Sequence, residues 1–463
     1  MITDRTYFFK TNLPFFISFA IVLLPQVILA QGGIFDTVKA TFKHSKIAGG
    51  SAAVIRNGLL LCSLNYGYSD IEQQKPILAG TTFNIMSLSK NFIACSVMQL
   101  VNKKQINLDE PVTHYISNLP KKYDSVKVYQ MLNHSSGVPD YVHVSGYMQQ
   151  ANKKQSPLEL LSTILNYPLE FTPGTKSSYS NSNYILLGLM VENVSHETLG
   201  DYLRKNIFDP LDMEHTYLDD GLATDLNKAK GYALQNGQLI YQPPLDPSQY
   251  WAAGGIVSTV NDLILYNKAL KSGRIVPLFI LTQMMMATKL EDGSYGDYGF
   301  GFELMQTPGL EIAGNTGAGL GYNAAYINFL KDSITVIVLT NTSNGNSAMI
   351  AKKIHDILVP DKKSAVRDPQ DRLDSIVSKV FRSAVKGNSD PQNFENAETY
   401  EKFKQNAVAF IQQQGGLLSL EQNGQKVNPE SIVRRYKINF EHNSTIWVII
   451  FSKGEKIIAA NHM

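Results

Sequence analysis

The sequence predicts an α/β protein: an antiparallel sheet flanked by helices, an all-helical subdomain inserted between the sheet elements, and a small C-terminal α+β domain. Three observations carry that prediction. Short apolar runs flank an Asn-Gly pair near the N-terminus. A long section with helical periodicity and polar loops fills the middle of the chain. Short alternating strands return after residue 298 and again after residue 417.

Taken in order, Phe35 to Lys46 has the spacing of a helix that packs through Phe35, Val38 and Phe42. Gly50–Ile55 and Leu59–Leu64 are apolar runs separated by Arg56-Asn57-Gly58, a signal for a tight hairpin. After a polar turn region from Tyr68 to Pro76, Ser87 opens a largely buried helix that ends near Lys103. A short helix over Val126–Asn133 leads to the turn His134-Ser135-Ser136-Gly137. Ser156 and Pro157 start another helix, running to Asn166. The polar cluster Pro173–Asn183 has loop composition and places Tyr179 and Asn181 on the loop that feeds a buried helix over Tyr184–Val194.

Sheet character resumes around Gly254-Gly255-Ile256-Val257-Ser258-Thr259, after which Thr259 or Asn261 caps a helix through Leu270. Tyr298–Leu304, Leu310–Ala313, Asn323–Leu330 and Ser333–Leu339 then read as an antiparallel meander, with Asn315-Thr316-Gly317 at the end of one strand. Asp361–Arg367 is charged and aperiodic, as a linker is. Beyond it, helices over Leu373–Val385 and Glu398–Gln413 precede strands near Leu417, Ile432–Phe440, Thr445–Phe451 and Ile457–Ala460.

The 463-residue length suits two or three domains, and 44% hydrophobic with 18% charged residues is ordinary globular composition. A formal net charge of +2 gives no reason to expect a nucleic-acid partner. Arg5 and Lys10 precede an apolar run from Phe15 to Ala30, interrupted by Pro25. This is the layout of a secretory signal peptide over residues 1–30, cleaved near Ala30, and it points to a secreted or periplasmic protein. A retained anchor is the other reading, because the run approaches the roughly 18 residues that begin to span a bilayer; no later segment does. Cys62 and Cys95 are too few for a disulfide framework or a four-cysteine zinc site. They either pair with each other or are two buried small residues.

The chemistry-bearing stretch is Ser87-Leu88-Ser89-Lys90. At the start of a helix, positions i and i+3 share a face, so the Ser87 hydroxyl and Lys90 amine lie within reach of each other. Alone the spacing is weak, since a chain of this length contains about one or two by chance, and Ser383-Ala384-Val385-Lys386 also matches. Tyr-x-Asn likewise occurs at Tyr179–Asn181 and, inside an apolar strand, at Tyr326–Asn328. Order and context single out the first of each. Ser87 and Lys90 open a buried helix, Tyr179 and Asn181 lie on a loop, and Thr316-Gly317 follows at a strand end.

Ser87–Lys90, Tyr179–Asn181 and Asn315–Gly317 resemble the three motifs of the serine β-lactamase and penicillin-binding superfamily, in the branch that holds class C β-lactamases, D,D-carboxypeptidases, D-aminopeptidases and related esterases. Leu132–Pro139 and Gly254–Thr259 are similar to that branch as well. The resemblance covers about residues 45 to 345. The change in character past residue 360 sets off an accessory domain over 361–463, for which no partner is identified, and the resemblance implies a β-lactamase/transpeptidase-like hydrolase domain over 31–360. Together with the N-terminal run it implies an exported serine hydrolase that acts on a small molecule or peptide through an acyl-enzyme on Ser87, with no cofactor and no metal. Lys90 and Tyr179 are the implied proton-transfer partners, and making Lys90 neutral at pH 7 takes a differential of roughly 4 to 5 kcal/mol. Asn181 is implied to bind the substrate's amide carbonyl, although it also reads as a helix cap. Asn315, Thr316 and Gly317 are implied to border the substrate, with the backbone N–H groups of Ser87 and Ala318 as the oxyanion hole.

One position departs from the family pattern. The third motif usually begins with lysine or histidine, which holds a substrate carboxylate, and here it begins with Asn315, which donates a hydrogen bond but carries no charge. The expectation is therefore modest or absent β-lactamase activity. The alternative from another class is a penicillin-binding or sensing protein that is acylated without turnover. His134 reads as structural rather than as a general base. His196-Glu197 lacks the second histidine of a zinc-protease helix.

Overall fold

The computed structural model describes residues 34–462 except 37, 222–224, 308–309, 360–371, 428–429 and 441–443. The N-terminal apolar run and the charged linker both lie outside the described residues.

The hairpin forms where Asn57-Gly58 calls for it. β1 (Gly49–Arg56) turns into β2 (Leu59–Asp70) through two residues with φ of 51° and 77°, the left-handed pair that matches the twist of the flanking strands. β3 (Glu303–Thr307), β4 (Leu310–Gly319), β5 (Tyr322–Phe329) and β6 (Ile334–Thr340) form the meander, and β6 pairs back on β1. The result is a seven-stranded antiparallel sheet ordered Lys75–Pro76, β2, β1, β6, β5, β4, β3.

Two details of the meander differ from expectation. The strand expected from Tyr298 begins only at Glu303. The residues before it form a loop laid against the helix that follows Ser87: a Cβ on Gly301, whose φ is 73°, would lie 2.3 Å from the Ala94 methyl. The strand expected to stop at Ala313 continues through Gly319, because β5 pairs with it over the whole length from Ile312 to Gly319. Asn315–Gly317 therefore lie within a strand and not at its end.

Helices cover both faces of this sheet. On one face lie α1 (residues 34–44, with 37 not described) and a helix near the domain's end, Ser347–Leu358. Ile34, Val38 and Phe42 of α1 pack there against Val54, Val336 and Val338, whereas Phe35, expected inside, is 40% exposed. Spacings 34/38/42 and 35/38/42 are equally helical, and burial selects the first. Fully burying Phe42 contributes roughly 2 to 3 kcal/mol. The alternate residues Ala53, Ile55, Ile337 and Leu339 face the opposite core.

That second core is built by the inserted section between β2 and β3. It holds α2 (Ser89–Asn102), the helices Val128–Leu132 and Pro157–Leu165, α3 (Asn181–Ser195), α4 (Trp251–Gly254) and α5 (Val260–Lys271). Ser156 caps its helix as its sequence predicts, in a reciprocal box with Glu159, and Thr259, not Asn261, caps α5. Asn181 is the first residue of α3 and not part of the preceding loop. The section also contains short strands, of which the apolar run marked Ile256–Ser258 alone. Phe83–Asn84 and Tyr217–Leu218 flank Ile256–Ser258, and Tyr232–Gln235 pairs with Gln238–Tyr241.

The C-terminal unit is a small α+β domain with its own core. α6 (Arg372–Val385) and a helical stretch over Ala397–Gln413 pack on a four-stranded antiparallel meander: β7 (Leu417–Val427), β8 (Ser431–Phe440), β9 (Ser444–Ser452) and β10 (Ile457–His462). Tyr436, Ile438 and Phe440 alternate into that core, as a half-buried strand requires. The second Ser-x-x-Lys, Ser383 to Lys386, straddles the end of α6. Among the described residues no helix is long and apolar enough to cross a membrane.

Candidate active site

Ser87 sits at a turn that the surrounding chain holds tightly. Phe83 and Asn84 pair with Ser258 and Val257, and Ile85 N–H donates to Ile256 O at 3.0 Å. The chain then turns at Met86, a non-glycine residue with φ of 52°, a conformation that costs on the order of 1 kcal/mol or more. Asn84 Oδ1 offsets this by accepting from Met86 N–H at 2.8 Å. Ser87 is thereby the centre of a single 3-10 turn, Met86–Leu88, that runs directly into α2.

One turn further on, Lys90 is buried. Its Nζ lies 3.1 Å from Ser87 Oγ, 2.8 Å from Asn181 Oδ1 and 2.6 Å from the carbonyl oxygen of Ala253 on α4. A neutral amine has two N–H donors and one lone pair. Donating to Asn181 and Ala253 leaves the lone pair for the Ser87 hydroxyl. Burial draws the Lys90 pKa down to about 7, against the opposing attraction of the Asp140 carboxylate.

The second arm is Tyr179. Its hydroxyl donates to Ser87 Oγ at 2.8 Å. Burial raises its pKa above the ordinary tyrosine value, so the phenol keeps its proton at neutral pH. His134 fixes this loop from both sides of Tyr179. Its backbone oxygen accepts from Ser178 N–H at 2.9 Å, its Nδ1 accepts from Ser180 N–H at 3.2 Å, and its ring lies 4.5 Å from the Tyr179 ring. Burial, and secondarily the Lys90 amine, hold the imidazole neutral. His134 is thus a structural support, as expected. Asn181 turns its oxygen to Lys90 and donates through Nδ2 to Asp140 Oδ2 at 2.9 Å, so only one amide N–H remains for a substrate carbonyl.

The third arm is β4. β3 pairs with it only from Leu310 to Gly314, so from Asn315 onward its outer edge has no strand partner and runs beside the Ser87 turn. Gly317 makes the approach possible: a Cβ there would lie 2.2 Å from Ile85 O and 3.1 Å from Ser87 N. A cavity of about 270 Å³ opens between the three arms. Ser87, Lys90, Tyr179, Asn315, Thr316 and Ala318 line it, whereas Asn181 and Gly317 stand behind the lining. Ser87, Lys90, Tyr179 and the strand edge therefore converge on one space, with the Ser87 hydroxyl in contact with both a near-neutral amine and a phenol. Such a constellation can activate a serine for attack on a carbonyl.

The family-model description Beta-lactamase matches residues 34–359. The chain belongs to the β-lactamase family. It is a serine hydrolase of the β-lactamase fold. It is similar to Penicillin-binding protein 4* of Bacillus subtilis, with 24% identity over 73% of this chain and 78% of that protein. Its fold is similar to an octameric penicillin-binding protein homologue from Pyrococcus abyssi (TM-score 0.64, 22% identity, 93% of this chain and 95% of that one). It is also similar in fold to the D-amino acid amidase of Ochrobactrum anthropi SV3 (TM-score 0.61, 24% identity, 72% and 100%).

Beyond the residues that the β-lactamase-family motifs name, the cavity wall also includes His134, Tyr184, Tyr298, Gly301 and Glu303. Glu303 and Tyr298 stand in a stretch whose alternation reads as plain strand, so nothing marked them. Asp140 directly follows the Leu132–Pro139 segment that resembles the family, and that adjacency was the signal available for it. Among the described residues no group of three or more His, Cys, Asp or Glu is gathered where a metal ion could sit.

Proposed function

We propose that the protein is an exported hydrolase that acylates Ser87 with small amides, peptides or esters and turns β-lactams over weakly or not at all. The observation that carries this is the placement of Lys90, within 3.1 Å of Ser87 Oγ and with a pKa of about 7. Lowering a lysine that far corresponds to roughly 5 kcal/mol against the charged form, and burial is what the site uses for it.

In this mechanism Lys90 Nζ takes the Ser87 proton as Oγ bonds to the substrate carbonyl carbon. The oxyanion is received by the N–H groups of Ser87 and Ala318, each worth about 3 kcal/mol of barrier. The bond to the leaving group then breaks. Tyr179 passes it a proton, and the proton held by Lys90 replaces it on the phenol. Water attacks the acyl-enzyme with its proton going to the same pair, and Ser87 is regenerated. Asn181 and Asp140 keep Lys90 aimed at the serine. The amide class is supported by the fold neighbour from Ochrobactrum anthropi, named as a D-amino acid amidase. The weak β-lactam activity rests on Asn315, which offers a substrate carboxylate no charge. Export rests on the N-terminal run, and a mature N-terminus near Gln31 would support it.

A panel of nitrocefin, p-nitrophenyl esters, D-amino acid amides and D-Ala-D-Ala peptides, assayed with wild type and Ser87→Ala, tests this function. Turnover of amides or esters that Ser87→Ala abolishes supports it. Full hydrolysis by Ser87→Ala contradicts it, as does nitrocefin turnover faster than that of every ester and amide.

A further inference from the structure

The cavity beside Ser87 contains a carboxylate that the proton-transfer machinery does not use. Glu303, at the start of β3, is half-buried and lines the same space as Ser87, Asn315 and Thr316. Among the described residues no lysine, arginine or histidine pairs with it. The hydrogen bond it accepts comes from Thr316 Oγ1 to Oε2 at 3.1 Å. Burial raises its pKa, and the Asp297 carboxylate nearby raises it further. A half-buried acid with one neutral donor and a second acid as neighbour is costly unless a cation arrives to compensate it.

The rest of the wall supplies no free cation. Asn315 is 8% exposed; its Oδ1 has no hydrogen-bond partner and is closed off from the cavity, and the amide atom left accessible is Nδ2, which carries no charge. Thr316, two residues before Ala318, already directs its hydroxyl proton at Glu303 and so has none for an incoming anion. The basic side chains in the wall are Lys90 and His134, and both are committed to the nucleophile and the Tyr179 loop. This end of the cavity therefore offers the negative charge of Glu303, which a donor that carries positive charge would compensate.

We propose that Glu303 anchors an ammonium subsite, so that the enzyme selects amides and esters bearing a free primary amine, such as amino-acid amides, over neutral and carboxylate-bearing analogues. The proposal rests on Ser87 being the nucleophile and assigns the specificity of that same site. The Glu303 carboxylate accepts the ammonium hydrogens, and Thr316 fixes it for them.

The test compares alanine p-nitroanilide of each hand with its N-acetyl and N-succinyl derivatives. Wild type is expected to favour the free amine over the acetylated form by roughly 10- to 100-fold in kcat/KM, the equivalent of one charged hydrogen bond, and to disfavour the succinylated form most. Glu303→Gln should collapse that ratio towards one, and Glu303→Asp should keep its direction. Labelling of Ser87 by a fluorophosphonate reports that each variant is folded. A wild type that prefers either blocked derivative, or hydrolyses no free amine, overturns the subsite, and so does a folded Glu303→Gln with the wild-type ratio. Hydrolysis that survives Ser87→Ala would instead remove the nucleophile assignment on which the subsite depends.

Discussion

Asn181 donates to Asp140 at 2.9 Å, and this bond turns its amide oxygen towards the Lys90 amine. Asp140 thus acts on Lys90 twice: it orients Asn181, and its charge attracts the protonated amine. Because Lys90 must be neutral to take the Ser87 proton, kcat/KM is expected to rise with pH through about 7 in the wild type, following the Lys90 pKa. Asp140→Asn removes the attraction, lowers the Lys90 pKa and moves that acid limb to lower pH. The pH dependence of kcat/KM measures it, and a limb that moves to higher pH would contradict the assignment.

Arginine in place of Lys90 separates a base from a fixed positive charge. A guanidinium stays protonated and cannot accept the Ser87 proton. Lys90→Arg should therefore be as impaired as Lys90→Met, with acylation slowed by on the order of 10²- to 10⁴-fold. Pre-steady-state acylation by a p-nitrophenyl ester gives the comparison, and substantial activity in Lys90→Arg would argue that charge alone suffices.

Gly317 tests how closely β4 must approach the nucleophile. An alanine methyl 2.2 Å from Ile85 O forces the strand or the strained Met86 turn to move. Gly317→Ala is expected to cost roughly 1 to 3 kcal/mol of stability. Acylation should fall by about 10²-fold or more, because a misplacement near 1 Å carries that penalty. Thermal unfolding and acylation kinetics measure the two effects separately, and an unchanged acylation rate would show that the strand edge is not part of the site.

Cys62 and Cys95 are both free and buried, on β2 and in α2. Burial raises both thiols, Cys95 to about 12, so neither presents a thiolate at neutral pH. Iodoacetamide should label both only after unfolding, and reductant should leave the intact mass unchanged. A two-dalton gain on reduction would show a disulfide.

What the sequence made legible follows from how local the determinants are. Asn57-Gly58 and Ser156-Pro157 act within a few residues, so they could be read directly, whereas the first helix is expected to pack through Phe35 and burial selects Ile34 instead. Ser87, Lys90 and Tyr179 could be read because their motifs recur in a known order. Asn181 was placed one element too early because an asparagine beginning a helix resembles one ending a loop. Asn236-Gly237, with φ of 49° and 81°, carries the same hairpin signal as Asn57-Gly58. Glu303 has no local signal for its role, and Asp140 has only its place next to Leu132–Pro139. Their meaning lies in what the fold brings beside them, Thr316 and Asn315 for one, Asn181 and Lys90 for the other. The Tyr298 strand failed for a related reason: alternation favours a strand, and the positive φ of Gly301 packed on Ala94 made the stretch a loop.

Acid-quenched mixtures of the protein with a slow p-nitrophenyl ester, digested and mapped by mass spectrometry, address the nucleophile directly. The expected result is one acyl adduct on the peptide containing Ser87, formed and lost at rates consistent with turnover and missing from Ser87→Ala. An adduct on any other residue, or turnover without an adduct that persists in Ser87→Ala, would contradict it.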